Sequence, residues 1–171
     1  ANCVSNTDAF IHDFQAVILG SVLDASCWSL SNGGDTNTWS LVEDTTGNIF
    51  WNLLYGSIAH DDYLYSPTIS VVDGVIDGFN FKVWNPNTTW PEVIDVLVVY
   101  AADNSVLGTL ATDLNLPEPD ATTGEYTVFT YDLSEYEGQD VKIAFHSTTT
   151  DQNAARIDDF TIDAFATLGT E

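Results

Sequence analysis

Four oxygen-rich places in this chain carry the side chains that a hard cation needs, since such an ion collects roughly six to eight oxygens from carboxylates, amides, carbonyls and water. Asp158 and Asp159 stand side by side in the segment Ile157 to Phe160, where two carboxylates interrupt a strand otherwise built for burial. A buried carboxylate without a partner is costly, so either a cation or the nearby Arg156, the only arginine of the chain, must answer it. His60-Asp61-Asp62 forms a second place, directly ahead of Tyr-Leu-Tyr-Ser-Pro. Asp35-Thr36-Asn37 follows two glycines with alternating oxygen side chains, like the opening of a calcium loop without the rest of an EF-hand. Asp13, with the amide of Gln15 close by, is the fourth. Taken singly, each also reads as a solvated turn or strand edge. The candidate metal ligands are therefore Asp13, Asp35, Asn37, Asp62, Asp158 and Asp159.

Signals for catalysis are absent from the motifs: there is no GxSxG elbow, no HExxH pair and no glycine-rich phosphate loop. Paired carboxylates could serve glycoside hydrolysis, but among 26 acidic residues some pair falls at a suitable distance by chance. His12, His60 and His146 lie in strand-like or turn contexts and read first as structural hydrogen-bonding residues. Trp51, Tyr63, Trp84 and Trp90 could present faces to a pyranose ring, with Trp84 and Trp90 favoured because they flank the turn-rich Asn-Pro-Asn-Thr-Thr loop. The alternative for all four is a place in the core. The sequon Asn87-Thr88-Thr89 matters only in a eukaryotic secretory route.

Against 26 acidic residues stand Lys82, Lys142 and Arg156, a formal net charge of −23. Nucleic acid is excluded as a partner, because neutralising phosphates requires clustered Lys or Arg, and anionic membrane surfaces are excluded on the same ground. Self-repulsion on this scale destabilises a compact state unless cations offset it, and carboxylate-bound divalent ions do so most directly; the acidity also serves solubility alone. No apolar run approaches the ~20 residues of a membrane-spanning helix, so no membrane insertion is expected. The opening Ala-Asn-Cys, without Met, reads as a mature product after signal removal or as a trimmed chain. Were Cys3 and Cys27 to pair, the bridge would contribute about 3 kcal/mol in the loop-entropy picture and would fit an oxidising compartment; the other possibility is two free thiols.

Positioning these residues falls to strands. No window of a dozen residues sustains helical periodicity. Val93 to Ala101 is almost continuously apolar, as a central strand covered on both faces should be, whereas Val141 to Ser147 alternates and should have one wet face. Phe10 to Phe14, Ile49 to Tyr55, Thr68 to Val72, Gly78 to Trp84, Tyr126 to Leu133 and Arg156 to Phe165 read likewise, for about eight to ten strands in all. Asn-Gly-Gly-Asp, Asp-Gly, Asn-Pro-Asn and Pro-Glu-Pro-Asp punctuate them. With 171 residues, 44% hydrophobic, and no linker or repeat, the expectation is one all-β domain over 1–171, a sandwich or barrel.

Three stretches together resemble the cleaved adhesin and choice-of-anchor J families, relatives of MAM-type jelly rolls. They are GGDTNTWSL (33–41), HDDYLYSPTISV (60–71) and DLSEYEGQDVKIAFHSTTTDQNAARIDDFTI (132–162). DDYLYSP, matching the family's DDWLISP type, and the IDDF-I ending are the most specific parts, and the resemblance runs from Phe10 to Phe165. It implies an antiparallel jelly-roll sandwich on a secreted or surface protein, often beside a protease or other effector domain. It also implies calcium near the first and last strands, which would recruit Asp13, Asp158 and Asp159. The chain has Phe14-Gln15 where the family's first strand ends in Phe-Glu, and keeps only Asp35 and Asn37 of the family's acid-rich loop.

The leading expectation is a non-catalytic binding or adhesin-type accessory domain, extracellular or at the cell surface, stabilised by calcium and directed at a host protein or a glycan. Its partners could include other domains of a larger surface protein. The rival from another class is a carbohydrate-active enzyme, a lyase or glycosidase on a jelly roll, which would show a cleft with convergent, pKa-perturbed side chains. A third reading is a structural spacer.

Overall fold

In Gly78–Trp84 the side chains of Phe79, Phe81 and Val83 are fully buried while Asn80 and Lys82 between them are half-buried, the period of two that a strand on a core imposes. The structure is a computed structural model and describes Val4–Ser5, Phe10–His12, Phe14 and residues 27–168. Among these residues the chain forms β1 (Val4–Ser5), β2 (Phe10–His12), β3 (Ser29–Ser31), β4 (Ser40–Glu43), β5 (Ile49–Leu54), β6 (Asp62–Tyr65), β7 (Thr68–Ser70), β8 (Gly78–Trp84), β9 (Val93–Tyr100), β10 (Val106–Asn115), β11 (Thr127–Asp132), β12 (Asp140–Ser147), β13 (Ala154–Asp163) and a four-residue helix α1 (Phe165–Leu168).

Two sheets pack face to face as a jelly-roll sandwich. One is built around β12, which pairs with β9 on one side and with β6 and β7 on the other; β10 extends it beyond β9, and β3 beyond β6. The other is built around β13, flanked by β8 and then β11 on one side, and by β5 and then β4 on the other, with β2 beside its far end. All of these pairings are antiparallel; β1 joins β7 in parallel.

The core fills the space between the sheets. Phe79, Phe81, Phe145 and Phe160 meet at its centre, and Phe14, Trp28 and Trp51 pack edge-on or tilted at one end. As its apolar run implied, β9 is covered on both faces: Ile94, Val96 and Val98 point into the main core, while Leu97 and Val99 form a smaller cluster with Tyr65 and Ala144. In β12 the inward residues are Val141, Ile143 and Phe145, and His146 keeps partial access to solvent.

β13 changes phase halfway. Ala155 and Ile157 face the core, and so do Phe160 and Ile162, three rather than two residues further on. The register with β8 slips by one residue between Asp158 and Thr161, and Asp159 takes φ +50°. A β-bulge thus absorbs the extra residue and lets both halves of the strand bury their apolar side chains. The two adjacent acids sit at this bulge.

Candidate cation site and loop-end cleft

Asp35 lies in the loop after β3, and His60 and Asp62 lie where the chain enters β6. Gly33 and Gly34 bring these segments together. Gly34 has φ +80°, and a β-carbon there would stand 2.1 Å from the carbonyl oxygen of Ala59, so only glycine admits this approach. The carbonyl of Gly33 accepts the N–H of Asp61 at 3.2 Å. Gly56 closes the other side, where a β-carbon would stand 1.7 Å from Asp35 Oδ2.

In this setting His60 Nδ1 lies 3.1 Å from Asp35 Oδ1 and 3.2 Å from Asp62 Oδ2. One ligand atom from each of the three residues falls within 4.8 Å of the others, the only such group of His, Cys, Asp and Glu among the described residues. Asp62 is 0% exposed, and neither of its carboxylate oxygens is closed by a hydrogen bond of good geometry; Asp35 Oδ2 is buried and open in the same way. Burial pushes the Asp62 carboxyl up, His60 pulls it down, and the charge of Asp35 pushes it up again. Glu92, also buried and pushed up by burial, accepts the Thr149 hydroxyl and lies within electrostatic reach of His60. Two carboxylates with open oxygens in a dry place fit a hard divalent cation.

Asn37 reaches this region by another route than expected. Its side-chain NH2 donates to the carbonyl of Tyr55 at 2.6 Å, and its backbone N–H donates to Asp35 Oδ1 at 3.1 Å. It acts as a strut between the Asp35 loop and the end of β5.

The closing strand behaves differently from the expectation of two calcium ligands. Asp159, swung outward by the bulge, places Oδ2 2.8 Å from Lys82 Nζ, and this hydrogen bond raises the lysine. Lys82, not Arg156, therefore serves the pair. Arg156 donates from Nε to Asn52 Oδ1 at 3.0 Å and lies 5.0 Å over the ring of Phe50. Asp158 is buried and its Oδ1 accepts the N–H of Asp159 at 2.8 Å. Burial first, then the charge of Asp159, push its carboxyl up to about 7. Asp13 lies outside the described residues. Cys27 is disulfide-bonded, and Cys3, the other cysteine of the chain, lies outside the described residues.

The tryptophans expected to share a sugar platform are separated by burial. Trp84 is 3% exposed: Tyr126 stacks flat on it at 3.9 Å and Phe50 meets it edge-on at 4.9 Å. Buried in this way it offers no open face to a ligand, and it is a packing residue. Trp90, 51% exposed, instead lines an open cleft of about 290 Å³ with Tyr55, 49% exposed, and with Asp151, Gln152 and Asn153. Fully buried Asn85 braces this cleft, donating to the carbonyl of Trp90 at 2.9 Å and accepting the side-chain amide of Asn153 at 3.1 Å. The carbonyl of Asn153 accepts the N–H of Tyr55, and the carbonyl of Gly56 accepts the N–H of Asp151, each at 2.9 Å. Tyr55, Asp151, Gln152 and Asn153 carry no motif of their own, and only the folded chain brings them beside Trp90.

No protein-family model matches the sequence, and no curated protein matches it either. Solved structures do match. The K1 cleaved adhesin domain of Lys-gingipain from Porphyromonas gingivalis superposes with a TM-score of 0.59 at 17% identity, over 92% of this chain and 98% of that one. The K3 cleaved adhesin domain of the same protein gives 0.61 at 19%, over 91% and 97%. The CBM22-1 xylan-binding domain of Paenibacillus barcinonensis Xyn10C gives 0.55 at 12%, over 92% and 95%. The jelly-roll sandwich implied by the resemblance is therefore the fold of this chain, and cleaved adhesin and carbohydrate-binding domains share it.

Proposed function

We propose that the chain is a non-catalytic binding module of a secreted or surface protein, one end of its sandwich clamped by calcium between Asp35 and Asp62. The observation that carries the reading is the linkage of two features at that end. A dry carboxylate cluster at Asp35 and Asp62 is tied to an open aromatic cleft through Asn37, which donates to the Tyr55 carbonyl, and through Gly56, which lies against Asp35 and accepts the Asp151 N–H. Calcium would be held by Asp35 Oδ2 and Asp62 Oδ1, with His60 Nδ1 orienting the other oxygen of each carboxylate. Bound calcium would supply two positive charges to a pair of buried carboxylates that otherwise have His60 beside them.

Binding rather than catalysis is supported by access. Asp62, His60 and Glu92 are all buried, and the residues lining the open cleft include one carboxylate, Asp151, where glycoside hydrolysis canonically employs two. The xylan-binding domain that shares the fold supports a glycan as the ligand class. An oxidised Cys27 supports an extracellular setting, and no helix among the described residues is long and apolar enough to cross a membrane.

Thermal melts test the clamp. An ion present at a hundredfold excess over its Kd adds about 2.7 kcal/mol, so EGTA should lower Tm by about 5–10 °C and calcium should restore it. Asp62→Asn should abolish the response. A curve unmoved by EGTA, or one that zinc restores and calcium does not, contradicts the reading.

A further inference from the structure

The geometry points to the Tyr55–Trp90 cleft as the ligand site, and to a neutral glycan, engaged through one or two sugar residues, as its occupant; this rests on the binding-module reading above. The first ground is apolar. Two large rings stand about half exposed in the lining of one cleft, although most aromatic side chains among the described residues are buried. Ring faces bind the C–H faces of a pyranose, and leaving such faces in water is unfavourable until something covers them.

Polar chemistry supplies the second ground. Asp151 and Gln152 offer an acceptor-only carboxylate and a side-chain amide able to donate and accept, and Asn153 adds its amide oxygen as an acceptor. This is the mixture that adjacent hydroxyls on a sugar engage, and a few placed polar groups beside aromatic walls are what small-ligand sites present. The Asn153 amide is already committed to Asn85, which fixes that wall.

Preorganisation is the third ground. Asn85 holds the Trp90 and Asn153 backbones or side chains at once, and the hydrogen bonds Tyr55–Asn153 and Asp151–Gly56 tie the two remaining walls together. Asp151 itself is kept at φ +51°. A cleft whose walls are fixed before the ligand arrives loses little conformational entropy on binding.

Charge and size select the ligand. With a formal net charge of −23 and Asp151 in the wall, uronates, sulfated and sialylated glycans are repelled, whereas uncharged sugars are not. About 290 Å³ lies at the lower edge of ligand sites, which run from ~300 to 1,000 Å³, so the cleft takes the end or a short stretch of a glycan.

The test is calorimetric titration of the calcium-loaded chain with neutral xylo-, galacto-, gluco- and manno-oligosaccharides, with oligogalacturonate as the anionic comparison. At least one neutral series should bind and oligogalacturonate should not. Trp90→Ala should weaken that binding at least about tenfold and Trp90→Phe should recover part of it. Because Trp90 is half exposed, both variants should melt as the parent does. Neutral-glycan binding unchanged by Trp90→Ala would overturn the cleft while leaving a glycan-binding module intact. No binding to any series would overturn the glycan itself, with the calcium clamp judged separately by its melts. Preference for oligogalacturonate would overturn the charge argument.

Discussion

Asp158 is a buried side chain whose ionisation bears directly on stability. Its carboxyl is buried and raised to about 7, against about 3.9 for an unfolded aspartate. Above pH 7 the folded chain therefore carries a charge in a dry place. As pH falls through about 7 the folded form takes up a proton that the unfolded form declines until near pH 4, so this residue's destabilising effect is relieved on acidification. In chelated buffer, Asp158→Asn should raise Tm by several degrees at pH 8, and the gain should vanish near pH 4. If the same substitution lowers Tm at pH 8 only when calcium is added, Asp158 is itself an ion ligand, as the family resemblance implies. Two neighbouring acids in one sequence thus have separate fates. Asp159 is matched by Lys82, whose outward direction follows from the parity of Phe79, Phe81 and Val83. That match was open to inspection in the sequence only once the bulge was known.

At the scale of elements, β13 shows how a local irregularity serves the core. The sequence Ala155, Ile157, Phe160, Ile162 already contains the three-residue step that a bulge must absorb. Deleting Asp159 would remove the extra residue, restore strict alternation and keep Phe160 and Ile162 on the core face, at the cost of the Asp159–Lys82 pair. The expected result is cooperative unfolding in urea retained by the deletion variant; loss of cooperativity would contradict this role. β8, β9 and β12 were equally legible, since their apolar periods match their burial. β10 was not. Its ten residues run along the sheet edge with repeated register shifts, and Gly108 lies where a β-carbon would stand 2.0 Å from the Tyr136 hydroxyl. An edge strand interrupted in this way keeps no period of two to read. Trp84 illustrates a related limit. Its place at the end of β8 could be read, but the covering by Tyr126 and Phe50 arises from strands distant in sequence.

Across the whole molecule, the two sites share one end and one short stretch of chain. Asn37 links the Asp35 loop to Tyr55, Gly56 lies against Asp35, and Gly56 also anchors Asp151. A cation that draws Asp35 and Asp62 together would therefore steady the Tyr55 and Asp151 walls of the cleft. Asp35 and Asp62 are legible in the sequence as members of two separate oxygen-rich places. What their spacing could not convey was that His60 stands between them, or that Asn37 is a strut. The cleft was less visible still. Its walls come from residues 55, 90 and 151–153, and buried Asn85 assembles them through backbone carbonyls and amides that carry no sequence signature.

A cation between Asp35 and Asp62 should be visible in an anomalous difference map from crystals grown in calcium. The expected calcium peak lies about 2.3–2.6 Å from Asp35 Oδ2 and Asp62 Oδ1. A map with no peak there, in which His60 or an ordered water closes both Asp62 oxygens, would contradict it.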